Sequence, residues 1–270
     1  ANQFYGRSNP VITKQRDRLY RGSFEVKDTK YYGHLMAWDA DPQTGVLAPD
    51  FAWDSGQVVT NNGRGIIYTW TGSNPNPPRI EFKASDATLY PLVNPPVLPD
   101  YPSGIDINLD TIVDNNDAKT VINFTLDSNY NDGVHPAGYY QGRRPVDWKL
   151  GDIYHSTPLV VGAPAFFFTE NNYSTFYSTY KNREMMIYVG GNDGVLHAFK
   201  NTDGSEAFTI IPKNLFGKIK NLGTTHDFYV DASPKGYDVY FNADGKWKTV
   251  LVSGQRAGGP YYFAMDVTTP

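Results

Sequence analysis

The chain has 270 residues, with 24 Lys and Arg against 28 Asp and Glu, a formal net charge of −4 and no cysteine. A slightly acidic chain without clustered basic residues is not built to follow a phosphate backbone, and Arg143-Arg144 is too short a run to change that. The missing thiols exclude disulfides, zinc thiolate sites and covalently attached c-type haem within this sequence, and no stretch approaches the roughly 18 apolar residues of a membrane span.

In chain order, Val11-Ile12, Leu19 to Val26, Tyr31 to Ala40 and Phe51 to Val59 read as β-strands, with Asp41-Pro-Gln-Thr-Gly45 as turn chemistry. Residues 71–104 are dense in proline and predict a long surface excursion that holds no continuous sheet. Asp and Asn are scattered through 105–150. There Ala118, Val121, Ile122 and Leu126 share a face and predict a short helix over Asp117 to Phe124. Asn171 to Tyr180 alternates small polar residues with aromatics and predicts a surface loop or edge strand. Asn214 to Leu222, with Pro212 before it and Gly223 after it, predicts a helical turn.

One pattern recurs three times, as two strands joined by a tight glycine turn. It occurs at Leu19 to Phe24 with Gly33 to Ala40, at Ile187 to Phe199, and at Val250 to Gly254 with Gly259 to Val267. Repeated strand–glycine–strand units predict radially arranged four-stranded sheets, each burying a face against its neighbours. The fold class expected is therefore all-β, an incomplete β-propeller with long loop insertions. Residues 1–70 would form a first blade region, 71–147 a proline- and Asx-rich insertion and 148–270 further blades. So few repeats do not close a ring, so the sequence reads as a piece of a longer protein. Its start carries neither the basic nor the apolar part of a signal peptide.

Five segments carry a family resemblance: Leu150-Gly-Asp-Ile-Tyr-His-Ser-Thr-Pro158, Tyr188 to Phe199, Ala207 to Pro212, His226-Asp-Phe-Tyr-Val-Asp231, and Thr249 to Gly254 followed by Tyr262 to Thr268. They resemble the PilY1/PilC family of type IV pilus tip-associated biogenesis factors and adhesins. The likeness is specific from about residue 119 onward and looser over 10–60. The glycine–aromatic blade motif itself is shared with quinoprotein-like propellers generally. The resemblance implies an exported protein at the pilus tip or cell surface that supports pilus assembly and attachment. It also implies minor pilins and host or abiotic surfaces as partners, and calcium as a modulator. The family's usual calcium loop has no counterpart in its expected place relative to the blade motifs.

Asp106, Asn108, Asp110 and Asp114 place oxygen ligands at alternating positions, as a hard cation such as Ca²⁺ requires. The run departs from an EF-hand by lacking the glycine of the sharp turn, and Ile107 and Leu109 equally suit a strand with its acids facing water. Asp127-Ser-Asn-Tyr-Asn131-Asp132-Gly133 is a weaker cluster of the same kind, of a sort that arises in Asx turns without metal. His34 and His197 occupy equivalent repeat positions, which predicts a structural hydrogen bond within each blade.

No enzyme constellation stands. His155 and Ser156 are adjacent on a strand and point to opposite faces, and no nucleophile elbow is present. Gly254-Gln-Arg-Ala-Gly-Gly259 lacks the Lys-Ser/Thr of a phosphate loop, so no nucleotide site is expected. A quinoprotein-like dehydrogenase would need a closed ring and stacking groups, for which Trp38, Trp53 and Trp148 are the candidates. The reading is therefore a non-enzymatic pilus-tip component. A second reading is a structural subunit, or one half of a processed protein, that completes its propeller with another chain. Quinone-dependent catalysis ranks third.

Overall fold

The computed structural model describes residues 4–7, 17–72, 77–94, 105–136 and 138–270. The expected strand at Val11-Ile12 lies outside these residues, as do 73–76 and 95–104 of the proline-dense region. The described strands form three sheets.

The first sheet is an antiparallel meander of β1 (Phe4–Arg7), β2 (Asp17–Lys27), β3 (Lys30–Ala40) and β4 (Trp53–Asp54). Its long β2–β3 hairpin closes on Asp28-Thr29, both with positive φ, so this repeat turns without the expected glycine. Phe51 to Val59 is only briefly a strand. Asp54 accepts the Gly56 amide at 2.9 Å and starts helix α1 (Ser55–Asn62).

The second sheet has the order β6-β5-β10-β9-β8-β7. Four of its strands, β7 (Leu159–Val161), β8 (Met186–Gly190), β9 (Leu196–Lys200) and β10 (Glu206–Ile210), make another antiparallel meander. β5 (Ile66–Trp70) then pairs parallel to β10 and carries β6 (Arg79–Glu81) at its outer edge. The third sheet is the meander β11 (Lys235–Phe241), β12 (Lys246–Gly254) and β13 (Tyr262–Asp266).

These sheets stack like successive blades. In β8, Ile187 and Val189 face the first sheet with Tyr20, Leu35 and Trp53, while Met186 and Tyr188 belong to the cluster that includes Leu251 and Phe263 of the third sheet. A middle sheet covered on both faces explains why β8 reads as a continuous apolar run. The chain is all-β in the propeller manner, and the described residues form no closed ring.

The insertion is more than a surface excursion. Arg79–Glu81 joins a sheet, and α2 (Tyr90–Val93) buries Leu89 and Val93 beside α3 (Asn115–Leu126) and α5 (Phe216–Ile219). The helix expected at Asp117 to Phe124 is α3, with Ala118, Val121, Ile122 and Phe124 inward. Around α5, short 3₁₀ turns extend the expected helical stretch from Lys213 to Gly223. Residues 171–180 are neither a loop nor an edge strand. They hold α4 (Tyr173–Tyr180), whose Tyr173 and Phe176 pack on Trp247.

Candidate functional site

Two places concentrate polar chemistry. The first is the junction of the blades, built from the residues of the recurring motifs. Gly33 must lack a side chain, because a Cβ there would overlap the Gly151 carbonyl, and Gly190 is held the same way against the Val230 carbonyl. Ser156 Oγ accepts the Gly190 amide at 2.8 Å and donates to the Ala232 carbonyl at 2.9 Å, so it is a strut between β8 and the segment that leads into the third sheet. His155 Nδ1 meets Asp231 at 2.7 Å, and His226 Nε2 meets Asp152 at 2.9 Å. Histidine and serine thus serve different partners, and no triad forms.

The equivalence of His34 and His197 holds in the structure. His34 Nδ1 lies 2.6 Å from Asp54 of β4, and His197 Nδ1 lies 2.7 Å from Glu206 of β10, the following strand in each case. His197 Nε2 also reaches Asp193 at 3.1 Å, and Arg64 pairs with Asp193, so four charged side chains share a buried site. Burial pushes the Asp193 pKa upward, but the charges of His197 and Arg64 outweigh it and hold the carboxyl well below the usual range. Burial likewise lowers the His197 pKa, and its two carboxylate partners more than reverse this.

The tryptophans proposed for a quinone pack within the blades. Trp53 donates to the Asn201 carbonyl at 3.1 Å, Trp148 donates to the Gly33 carbonyl at 2.7 Å, and Trp38 meets Phe51 edge-on.

The second place is the loop leading into α3. Asp106 Oδ2 accepts the Thr111 amide at 2.9 Å, Asn108 Oδ1 the Asp110 amide at 3.2 Å, and Asp110 Oδ1 the Ile112 amide at 2.9 Å. Asp114 caps α3 by accepting the Asn116 amide at 2.6 Å. Thr111 has φ 75°, the left-handed conformation that an EF-hand assigns to its sixth residue, so the turn is made without the glycine.

Sequence reading missed Asp117. It is fully buried and accepts the amides of Ile107 at 2.7 Å and Asp114 at 2.7 Å, tying the start of the loop to its end. Two signals pointed to it: it is twelfth in a loop counted from Asp106, and it is the acid of a capping box with Asp114. In this conformation the acids are turned onto their own backbone amides. Among the described residues no three His, Asp or Glu side chains converge to hold an ion. Asp106 Oδ1 is buried with no hydrogen-bond partner. The Asp127–Gly133 cluster is spent differently: Asp132 accepts from the Val134 and His135 amides and from the Tyr140 hydroxyl.

Residues 150–270, which contain β7 to β13, match the family described as PilY1 beta-propeller domain. Over this segment the chain belongs to the PilY1 family. A type IV pilus biogenesis factor PilY1 of Pseudomonas aeruginosa is 30% identical over 277 residues, an alignment that covers 94% of this chain and 22% of that protein. PilY1 from another strain of that species is 44% identical over 134 residues, covering 45% of this chain and 11% of the relative. The crystal structure of the Pseudomonas aeruginosa PilY1 C-terminal domain matches with 41% identity over 41% of this chain and 22% of that one, at a TM-score of 0.34. The chain therefore spans about a fifth or less of the length of these relatives. No helix among the described residues is long and apolar enough to cross a membrane.

Proposed function

We propose that this PilY1 segment belongs to a non-enzymatic biogenesis factor of type IV pili, exported to the pilus tip or cell surface, where it supports pilus assembly and adhesion. The observation that carries this reading is the 30% identity along nearly the whole chain to a type IV pilus biogenesis factor. The stacked blades supply a rigid platform, and minor pilins and host or abiotic surfaces are the partners this reading calls for. The test is to place blade-junction variants such as Gly190→Val in the full-length protein of a piliated bacterium and count surface pili. Loss of pili, with secretion of the factor intact, supports the role; normal piliation with the junction disrupted removes it.

The same reading gives the 106–117 loop to Ca²⁺. Asp106, Asn108, Asp110, Asp117 and the Ile112 carbonyl would bind the ion, with Asp114 acting through water, in a seat of hard oxygens. The support is the left-handed Thr111 and the unpartnered Asp106 Oδ1. Calorimetric titration with Ca²⁺ is expected to show one site that Asp106→Asn abolishes. Identical heats from both proteins would rule the site out.

A further inference from the structure

The chain contains two Asn-x-Ser/Thr triplets, Asn123-Phe-Thr125 and Asn172-Tyr-Ser174. This triplet is the acceptor pattern for N-linked glycans, and it serves only where the asparagine amide reaches the surface. The fold separates the two. Asn123 lies inside α3, where Phe124 and Thr125 are buried and the Thr125 hydroxyl donates to the Val121 carbonyl at 2.7 Å. Asn172 stands at the turn before α4, exposed together with Glu170, Asn171 and Ser174, and its side chain makes no capping hydrogen bond. The backbone accounts for part of this sequence. Asn171 and Asn172 have φ of 51° and 55°, a left-handed conformation that asparagine tolerates better than most residues. It does not account for Glu170 or Ser174, whose side chains have no hydrogen-bond or ion-pair partner among the described residues.

We propose that Asn172 is the acceptor of an N-linked oligosaccharide added during export. Its Nδ2 forms a bond to the anomeric carbon of a sugar carried on a polyprenyl diphosphate, and the bond from that carbon to the diphosphate oxygen breaks. The lipid diphosphate leaves with the electron pair, Nδ2 gives up one proton, and nothing is oxidised or reduced. The Ser174 hydroxyl gives the transferring enzyme a hydrogen-bond handle. Glu170, two residues ahead of the amide, supplies the acidic charge that acceptor segments of bacterial oligosaccharyl transfer carry, whereas Asn123 has Val121 in that place. Tyr173 between Asn172 and Ser174 is buried, its hydroxyl donating to Asp238 at 2.6 Å, so the extended segment is modified before α4 docks. The aromatic surroundings fit a sugar. Phe167 is 90% exposed and adjoins Phe168, which stacks at 4.8 Å on Trp247, and the Trp247 indole donates to the Asn171 carbonyl at 3.0 Å. A glycan on the neighbouring turn brings an apolar sugar face to cover that ring. This inference rests on the reading of the chain as exported and needs nothing from its role in piliation.

The test is mass spectrometry of the full-length protein recovered from the surface or pilus fraction of the piliated bacterium that makes it. The expected result is a tryptic peptide 150–181 heavier by a chain of sugar residues, with fragment ions placing them on Asn172, and an unmodified peptide 120–143 that carries Asn123. Ser174→Ala should abolish the added mass and Ser174→Thr should keep it, while Glu170→Gln should lower occupancy about tenfold through the loss of one charge-assisted contact. These replacements stand at exposed positions and leave the core untouched. Two results overturn the proposal and leave export standing: bare Asn172 in the surface fraction, or added mass that persists in Ser174→Ala. A protein found only inside the cell would remove the export reading and this inference together.

Discussion

Each of the five histidines holds a carboxylate: His34 with Asp54, His135 with Asp132, His155 with Asp231, His197 with Glu206 and Asp193, and His226 with Asp152. The site around His197 is the most deeply buried, and it sets a pH dependence whose sign follows from the shifts. The raised pKa of His197 gives stability that is complete below its ordinary value of about 6.5 and is lost as pH rises through the raised value. Asp193, held low, contributes fully above about 3.9 and loses its contribution only as pH falls through its depressed value. Urea midpoints should therefore fall on the alkaline side, and His197→Gln should flatten that decline. Arg64→Ala leaves Asp193 and Glu206 buried with His197 but without the guanidinium, and should cost about 3–5 kcal/mol in the same measurement. Thr111 is the opposite case. A β-branched residue at positive φ is strained, so Thr111→Gly should stabilise the loop by roughly 1–2 kcal/mol, read as a higher melting temperature.

At the scale of elements, α4 is fastened to the third sheet by one carboxylate. The Tyr173 hydroxyl donates to Asp238 at 2.6 Å, and the Thr249 hydroxyl donates to the same side chain at 2.6 Å. Tyr173→Phe should destabilise the protein by about 1.5–3 kcal/mol in equilibrium unfolding, since it strips a buried carboxylate of a donor. A smaller effect would mean that Thr249 alone satisfies Asp238. Sequence reading missed this helix because its tyrosines and serines suggested a period of two, although Tyr173, Phe176 and Tyr180 also stand at helical spacing. β2 with β3, β8 with β9 and β12 with β13 were legible because alternation and turn residues lie close together along the chain. The candidate loop was legible in its alternating oxygens and hidden in its closure, since Asp117 sits on a helix and Thr111 adopts a conformation its residue type disfavours. The β5–β10 pairing was not legible at all, because Ile66 and Phe208 meet across an intervening chain with no local signal.

At the scale of the molecule, the middle sheet depends on both neighbours. Ile187, Val189 and Phe199 are buried against the first sheet. A chain beginning at Arg64 would expose them, so it should bind a hydrophobic dye and melt at lower temperature than the full chain. Unchanged melting would mean that the second and third sheets form a self-sufficient core.

The parallel register of β5 with β10 has a mechanical side. Tension between the two ends of the chain reaches this pair at the start of β5 and the finish of β10, and because the strands run the same way these points lie at opposite ends of the ladder. The pull therefore runs along the strands and loads their hydrogen bonds together, in shear, where a hairpin such as β11–β12 would peel open one bond at a time. Rupture under force is governed by the barrier to unfolding, so the 66–210 closure is the clasp on which a stretched chain would hang longest.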